Sequence, residues 1–219
     1  MTAPRTADGP ARDCQLCPRL VQFRETNRTE EPHWHNAPVP SFGDLDARLL
    51  IVGLAPGRTG ANRTGRPFTG DYAGDLLYAT LLEFGLATGT YGASADDTVV
   101  LSDCRITNAV RCVPPENKPT PLEIKSCAVF LRAETSKMPR LRAVVALGRI
   151  AHDAVLRNFD LKIAAHPFAH GQRHRISEQV TLFDSFHCSR YNTNTGKLTT
   201  TMFQQVFAAV RDHFSLSAA

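Results

Sequence analysis

A parallel α/β fold follows from two features of this 219-residue sequence. Short apolar runs rich in Val, Ile, Leu and Ala recur along the chain, and segments with apolar residues at helical spacing alternate with them. Such alternation predicts a central sheet of four parallel strands, covered by helices on both faces.

Residues 48–54 read as a buried strand, and residues 75–86 (DLLYATLLEFGL) as an amphipathic helix. Residues 99–110 hold the second strand, ending near Asn108. After a proline-rich connection, Thr120 supplies an N-cap and Pro121 a first-turn proline for a helix over 122–137. The third strand is RAVVALG, residues 142–148, followed by the helical RIAHDAVLRNF. Residues 179–186 form the last strand and 199–214 the last helix.

The length suits one well-buried domain, expected over residues 13–219 behind a short mobile tail, 1–12. No apolar stretch approaches the roughly 20 residues of a membrane span, and the N-terminus lacks the apolar segment of a secretory signal. A cytoplasmic protein is therefore expected, and no segment of the sequence signals an oligomer interface, so a monomer is expected too. The net charge of +4 is carried mostly by Arg, whose planar fork suits phosphate. A GC-rich genome would produce the same bias, so charge alone favours an anionic partner only weakly.

In parallel sheets ligands bind beyond the carboxyl ends of the strands. That rule marks residues 53–71, 108–121, the segment from Gly148 onward, and 187–197, of which the first, second and last are the least bland. The first loop, IVGLAPGRTGANRTGRPFTGD, passes abruptly from an apolar run into Gly, Pro and Arg. Bare backbone N–H groups and arginines suit an anion, yet the order is neither that of a Walker loop nor that of a dinucleotide fingerprint. Phe68 either stacks on a nucleobase or plugs the core beneath the loop. Asn108 ends a buried strand, where its amide either reads the edge of a base or caps a turn. His187 follows the last strand directly, and Ser189, Arg190, Tyr191 and Asn192 beside it could grip phosphate or wedge into a duplex.

Cys14, Cys17, Cys112 and Cys127 offer four soft ligands, a C-x₂-C pair and two thiols flanking the proline-rich turn. In a cytoplasmic chain disulfides are the poorer reading; zinc and an iron–sulfur cluster both fit, as does a buried, ligand-free pair. Cys104 reads as a core residue, and nothing beside Cys188 calls for a thiol nucleophile.

Together, GLAPG…NRTGRPFTGD, ITNAVRCVPPENKPTP, HCSRYNTNTGKLT and the cysteine layout resemble the uracil-DNA glycosylase superfamily, specifically its iron–sulfur family 5, over about residues 13–214. The resemblance implies a three-layer α/β/α sandwich with a central four-stranded parallel sheet. It also implies a structural 4Fe-4S cluster on Cys14, Cys17, Cys112 and Cys127. DNA carrying deaminated bases would be the partner, with the damaged nucleotide flipped into a pocket. Gly53, Ala55, Gly57, Phe68, Asn108 and His187 would surround the base. Phe68 would stack on it, Asn108 would read its edge, and His187 would stabilise charge developing at the pyrimidine O2. Tyr191 would fill the vacated stack, with Ser189 and Arg190 pinching phosphates and Arg63 and Asn192 adding contacts to DNA.

Departures from better-known relatives sharpen these expectations. Where those carry GQDPY this chain has GLAPG, so Ala55 replaces the water-activating Asp and Gly57 a methyl-excluding Tyr. Water must then be oriented by another group, for which Asn62 leads and Asp71 and Asp75 follow. A slow enzyme with an open pocket is expected, one accepting hypoxanthine and xanthine along with uracil. Cys188 and Arg190 stand where prolines are common, which leaves the shape of the last loop open. The competing readings are a non-catalytic damage-binding protein of the same fold and a zinc-stabilised nucleotide-binding module.

Overall fold

The computed structural model of the chain describes residues 5–6 and 9–216. Its sheet has five strands: β1 (Leu49–Gly53), β2 (Cys104–Asn108), β3 (Ala143–Leu147), β4 (Arg173–Arg175) and β5 (Thr181–Ser185). In space they run β2-β1-β3-β5-β4. The four expected strands are parallel to one another. The fifth, β4, was not expected: it is antiparallel to β5 and forms the edge. Its sequence, Arg-His-Arg, has no apolar alternation, because an edge strand can leave alternate side chains in water.

The helices are α1 (Pro18–Glu30), α2 (Ala61–Thr64), α3 (Tyr72–Glu83), α4 (Pro121–Thr135), α5 (Arg149–Asn158), α6 (Arg190–Asn194) and α7 (Thr200–Leu216). Successive side chains of a strand point to opposite faces, and β1 divides accordingly. Leu49 and Ile51 pack with Leu77 and Leu81 of α3 and with Phe203 and Phe207 of α7. Leu50 and Val52 face Leu131 of α4 and Val155 of α5. Both layers are thus apolar against the sheet, as the near-continuous apolar strands require. Thr120 caps α4 in a full capping box with Glu123, and Pro121 opens that helix as expected.

Helix α1 leaves no periodic trace in the sequence. Its buried positions are Leu20, Arg24 and Asn27, so polar side chains occupy the face that a pattern search expects to be apolar. Residues 1–4 and 7–8 of the expected tail lie outside the described residues, and Arg5–Thr6 pairs with Gly9–Pro10 in a short ribbon. No helix among the described residues is long and apolar enough to cross a membrane.

One buried ionic group ties β2 to α4. Glu134 accepts from Arg105 Nε at 2.6 Å and from Arg111 Nη2 at 2.5 Å, with all three residues buried. Burial pushes the Glu134 carboxyl up, but the two guanidinium charges more than offset that and hold it below its ordinary value. Replacing Glu134 by Ala leaves two buried cations without their counter-charge and should cost about 3–5 kcal/mol. Urea unfolding at neutral pH checks this, and a loss below about 1 kcal/mol, the scale of an exposed pair, would count against it.

Candidate active site

The carboxyl ends of β1, β2 and β5 open onto a cavity of about 660 Å³. Parallel pairing sets Gly53 directly beside Asn108. A side chain at position 53 would run into the Asn108 amide oxygen and into the Phe68 ring, whose Cζ would lie 2.6 Å from the added carbon. Glycine there lets both groups close over the end of β1. Phe68 is buried, and its ring stacks on that of His187 with centroids 5.9 Å apart and planes at 30°. Asn108 is buried too, and its Oδ1 has no hydrogen-bond partner. A buried acceptor left unpaired costs on the order of 1–3 kcal/mol, so this atom is aimed at a donor that a ligand would bring.

His187 leaves β5 at the cavity wall, and its carbonyl accepts from Asn192 Nδ2 at 2.8 Å. Burial pushes its imidazole down to about 4. At neutral pH the ring is therefore uncharged and offers one N–H. Ser189 caps α6 by accepting from the Asn192 N–H. Arg190 lies at the lip with its guanidinium 5.3 Å from the Tyr72 ring centre.

Of the residues expected from sequence, Ala55, Gly57, Phe68, Asn108, His187, Ser189 and Arg190 meet at this one cavity. Gly53 lies behind them as the close-approach point. Tyr191 is 74% exposed on α6, outside the cavity. Arg63 is exposed and tied by its own loop, donating to the carbonyls of Thr59 and Gly70. Asn192 is committed to bracing His187.

Asn62, the leading candidate for orienting water, is not at the wall. It is buried behind the loop and donates to Asn36 Oδ1 at 2.9 Å. Asp71 stands in the wall instead, capping α3 through the Gly74 N–H. Burial raises its carboxyl above the ordinary value, against the hydrogen bonds that favour the anion. Its Oδ2 lies against Gly57, where an added Cβ would approach within 3.0 Å. Asp75 is exposed on the next turn and is absent from the wall. Tyr72 and Asn117 also line the cavity. Asn117 belongs to the PPENK turn, where both it and Glu116 adopt the left-handed conformation; the strand-end rule marks its loop, 108–121, but not this residue within it.

Cys14, Cys17, Cys112 and Cys127 line a second, very small apolar cavity with Leu20, Val110 and Phe130. Burial pushes Cys112 up to about 12 and Cys127 to about 11. The same cavity is lined by Arg24, almost fully buried, whose Nε and Nη2 lack hydrogen bonds; the Glu25 carboxylate is 3.6 Å from Nε. The tightest trio of metal-type side chains among the described residues lies elsewhere: His152, His174 and Asp184. Their donors serve one another, since Asp184 faces His152 Nδ1 at 2.6 Å and His174 Nε2 at 3.1 Å while His152 Nε2 faces the His166 carbonyl.

Residues 40–211 match the Uracil DNA glycosylase superfamily. A type-5 uracil-DNA glycosylase of Thermus thermophilus is 49% identical over 199 residues, covering 88% of this chain and 90% of that one. A type-5 uracil-DNA glycosylase of Pyrobaculum aerophilum is 43% identical over 198 residues, 89% and 86% of the two chains. A type-4 uracil-DNA glycosylase of Archaeoglobus fulgidus is 35% identical over 125 residues, 57% of this chain and 55% of that one.

The depressed His187 value carries a consequence for stability. The unfolded chain takes up a proton near pH 6.5, and the folded chain refuses it until about pH 4. Stability attached to this group is therefore complete above pH 6.5 and is lost as pH falls towards 4. His187→Gln should show a shallower loss than the parent between pH 7 and pH 5 in urea unfolding; equal slopes would place the cause elsewhere.

Proposed function

This chain belongs to the uracil DNA glycosylase superfamily, and on that premise we propose that it releases uracil from DNA as a first step of base-excision repair. It is a DNA glycosylase, a hydrolase of N-glycosidic bonds. The observation that carries the site reading is the convergence of Asn108, His187 and Asp71 on one cavity walled by Phe68 and Gly57.

A base within a duplex is out of reach, so the nucleotide must swing into the cavity. Phe68 then stacks on it, and the free Asn108 oxygen accepts from a base N–H. Neutral His187 donates its N–H to O2 as the C–N bond breaks and its electron pair leaves with the base. Such a donor, fixed in advance and sheltered from water, stabilises the departing anion. The sugar becomes oxocarbenium-like, and a water held by the Asp71 carboxylate adds to C1′ and passes its proton to that carboxylate. Raised basicity suits this task. Asp71 therefore takes the role expected of Asn62, and Ala55 leaves no gap in the chemistry.

Gly57 sets no side chain across the mouth, which supports acceptance of hypoxanthine and xanthine besides uracil. Arg190 and Tyr191 at the rim suit contacts to the DNA backbone and to the vacated stack. The continuity of one sheet with both helical layers supports reading residues 13–216 as one domain; residues 217–219 of the expected 13–219 lie outside the described residues.

The four cysteines are proposed to hold a 4Fe-4S cluster. Four soft thiols in one apolar niche fit it, and so does Arg24, a buried cation with unused donors where an anionic cluster would supply acceptors. Bound there, the cluster would join α1 to α4 and to the chain after β2, without entering the chemistry at the base. Cys14 and Cys17 would ligate from the segment leading into α1, Cys112 from the loop after β2 and Cys127 from α4.

Single-turnover base release in EDTA, from duplexes carrying uracil, hypoxanthine, xanthine or no lesion, tests the assignment. Uracil and at least one purine should be released. Asp71→Asn should slow release by about 10²–10⁴-fold and remove the acid limb of the pH profile. His187→Ala should cost about 10²–10³-fold. Full activity in Asp71→Asn would move the water-orienting role elsewhere. Protein purified without oxygen should be brown and contain iron and acid-labile sulfide, both lost in Cys112→Ser; a colourless zinc protein would overturn the cluster.

A further inference from the structure

We propose that Tyr91 is a positioning residue that holds Phe68 against the cavity, so that a segment outside the site sets its base-stacking face. This rests on the stacking role of Phe68 given above. Phe68 has φ of 52°, a left-handed conformation that bulky residues rarely adopt. Such a conformation persists only where its surroundings over-determine it, and the structure shows what does so here.

Tyr91 lies between the two strands of a short antiparallel ribbon, Ala87–Thr88 and Val100–Leu101. It does not line the cavity. Its hydroxyl donates to the Phe68 carbonyl at 3.2 Å and accepts from the Gly70 N–H at 3.4 Å. One oxygen thereby ties both the outgoing carbonyl of Phe68 and the amide two residues on, which fixes the turn that aims the ring. The Tyr91 ring is itself stacked on Tyr78, with centroids 4.5 Å apart, and the Tyr78 hydroxyl donates to the Pro67 carbonyl at 2.8 Å.

The ribbon is held to the loop by charge. Arg66, two residues before Phe68, makes a two-pronged contact with Asp97 at 2.7 and 2.6 Å. Asp97 also accepts from the Gly92 N–H, next to Tyr91. Helix α3 leaves room for the arrangement: a side chain at Gly74 would collide with both the Phe68 carbonyl and the Tyr91 hydroxyl. Backbone carbonyl, hydroxyl and helix turn share one small space, and the glycine in α3 permits it.

A double-mutant cycle tests the assignment, because Tyr91→Phe keeps the stacked ring and removes only the oxygen. Single-turnover uracil release should fall about tenfold in Tyr91→Phe when Phe68 is present, and by less than about twofold when Phe68 is already Ala, since coupled residues are non-additive. Binding to an undamaged duplex should not change, which a general structural defect would not spare. An equal loss in both backgrounds would overturn the role of Tyr91 and leave that of Phe68 standing. No loss in Phe68→Ala alone would overturn the stacking role, and that of Tyr91 with it.

Discussion

The parallel pairing of Gly53 with Asn108 is the constraint on which the site depends. Two strand ends in register bring the Asn108 amide to the point where β1 stops, and the missing side chain at Gly53 lets the Phe68 ring lie over it. Any larger residue would displace one or the other. Both strands are buried along their whole length, so the relation between the Asn108 amide and the Phe68 ring is inherited from the core. The loops then need only complete a site whose depth the sheet has fixed.

Completing it requires buried polar groups that the protein must hold without full satisfaction. Asn108 keeps an unpaired acceptor, Asp71 keeps a carboxylate against its own desolvation, and His187 gives up its charge. Each would be cheaper in water. Stability comes instead from the two apolar layers and from satisfied buried ionic groups such as Arg105–Glu134–Arg111 and Arg66–Asp97, which lie outside the cavity wall. A division between satisfied scaffold and unsatisfied site is what a preorganised active site needs, because its polar groups are then not spent on one another.

The main strands were legible as short continuous apolar runs, and helices α3, α4, α5 and α7 through apolar residues at helical spacing and local caps such as Thr120–Pro121. Helix α1 and strand β4 were not: the first buries Arg24 and Asn27, and the second is an Arg-His-Arg edge. In the site, residues directly at strand ends, Asn108 and His187, could be placed from topology alone. Residues within the long first loop could not, because the path of a loop depends on what it packs against. Asn62 and Asp71 are nine positions apart in that loop, and only the folded chain shows that Asn62 turns inward to Asn36 while Asp71, capping α3, faces the cavity. Tyr91 was beyond reach for the same reason, since its partner is a backbone carbonyl 23 residues away.

Two departures from the GQDPY pattern, Ala55 and Gly57, look independent in the sequence, one concerning catalysis and the other selectivity. In space they are joined. The Asp71 carboxylate oxygen lies where a Cβ at position 57 would crowd it, so the residue that leaves the mouth open also makes room for the Asp71 carboxylate in the wall. Ala55 and Asp71 share the same wall. A bulky gate at 57 and a carboxylate entering from α3 therefore compete for one volume. The open mouth and the close approach of the Asp71 carboxylate thus have one cause in packing, the missing side chain at Gly57.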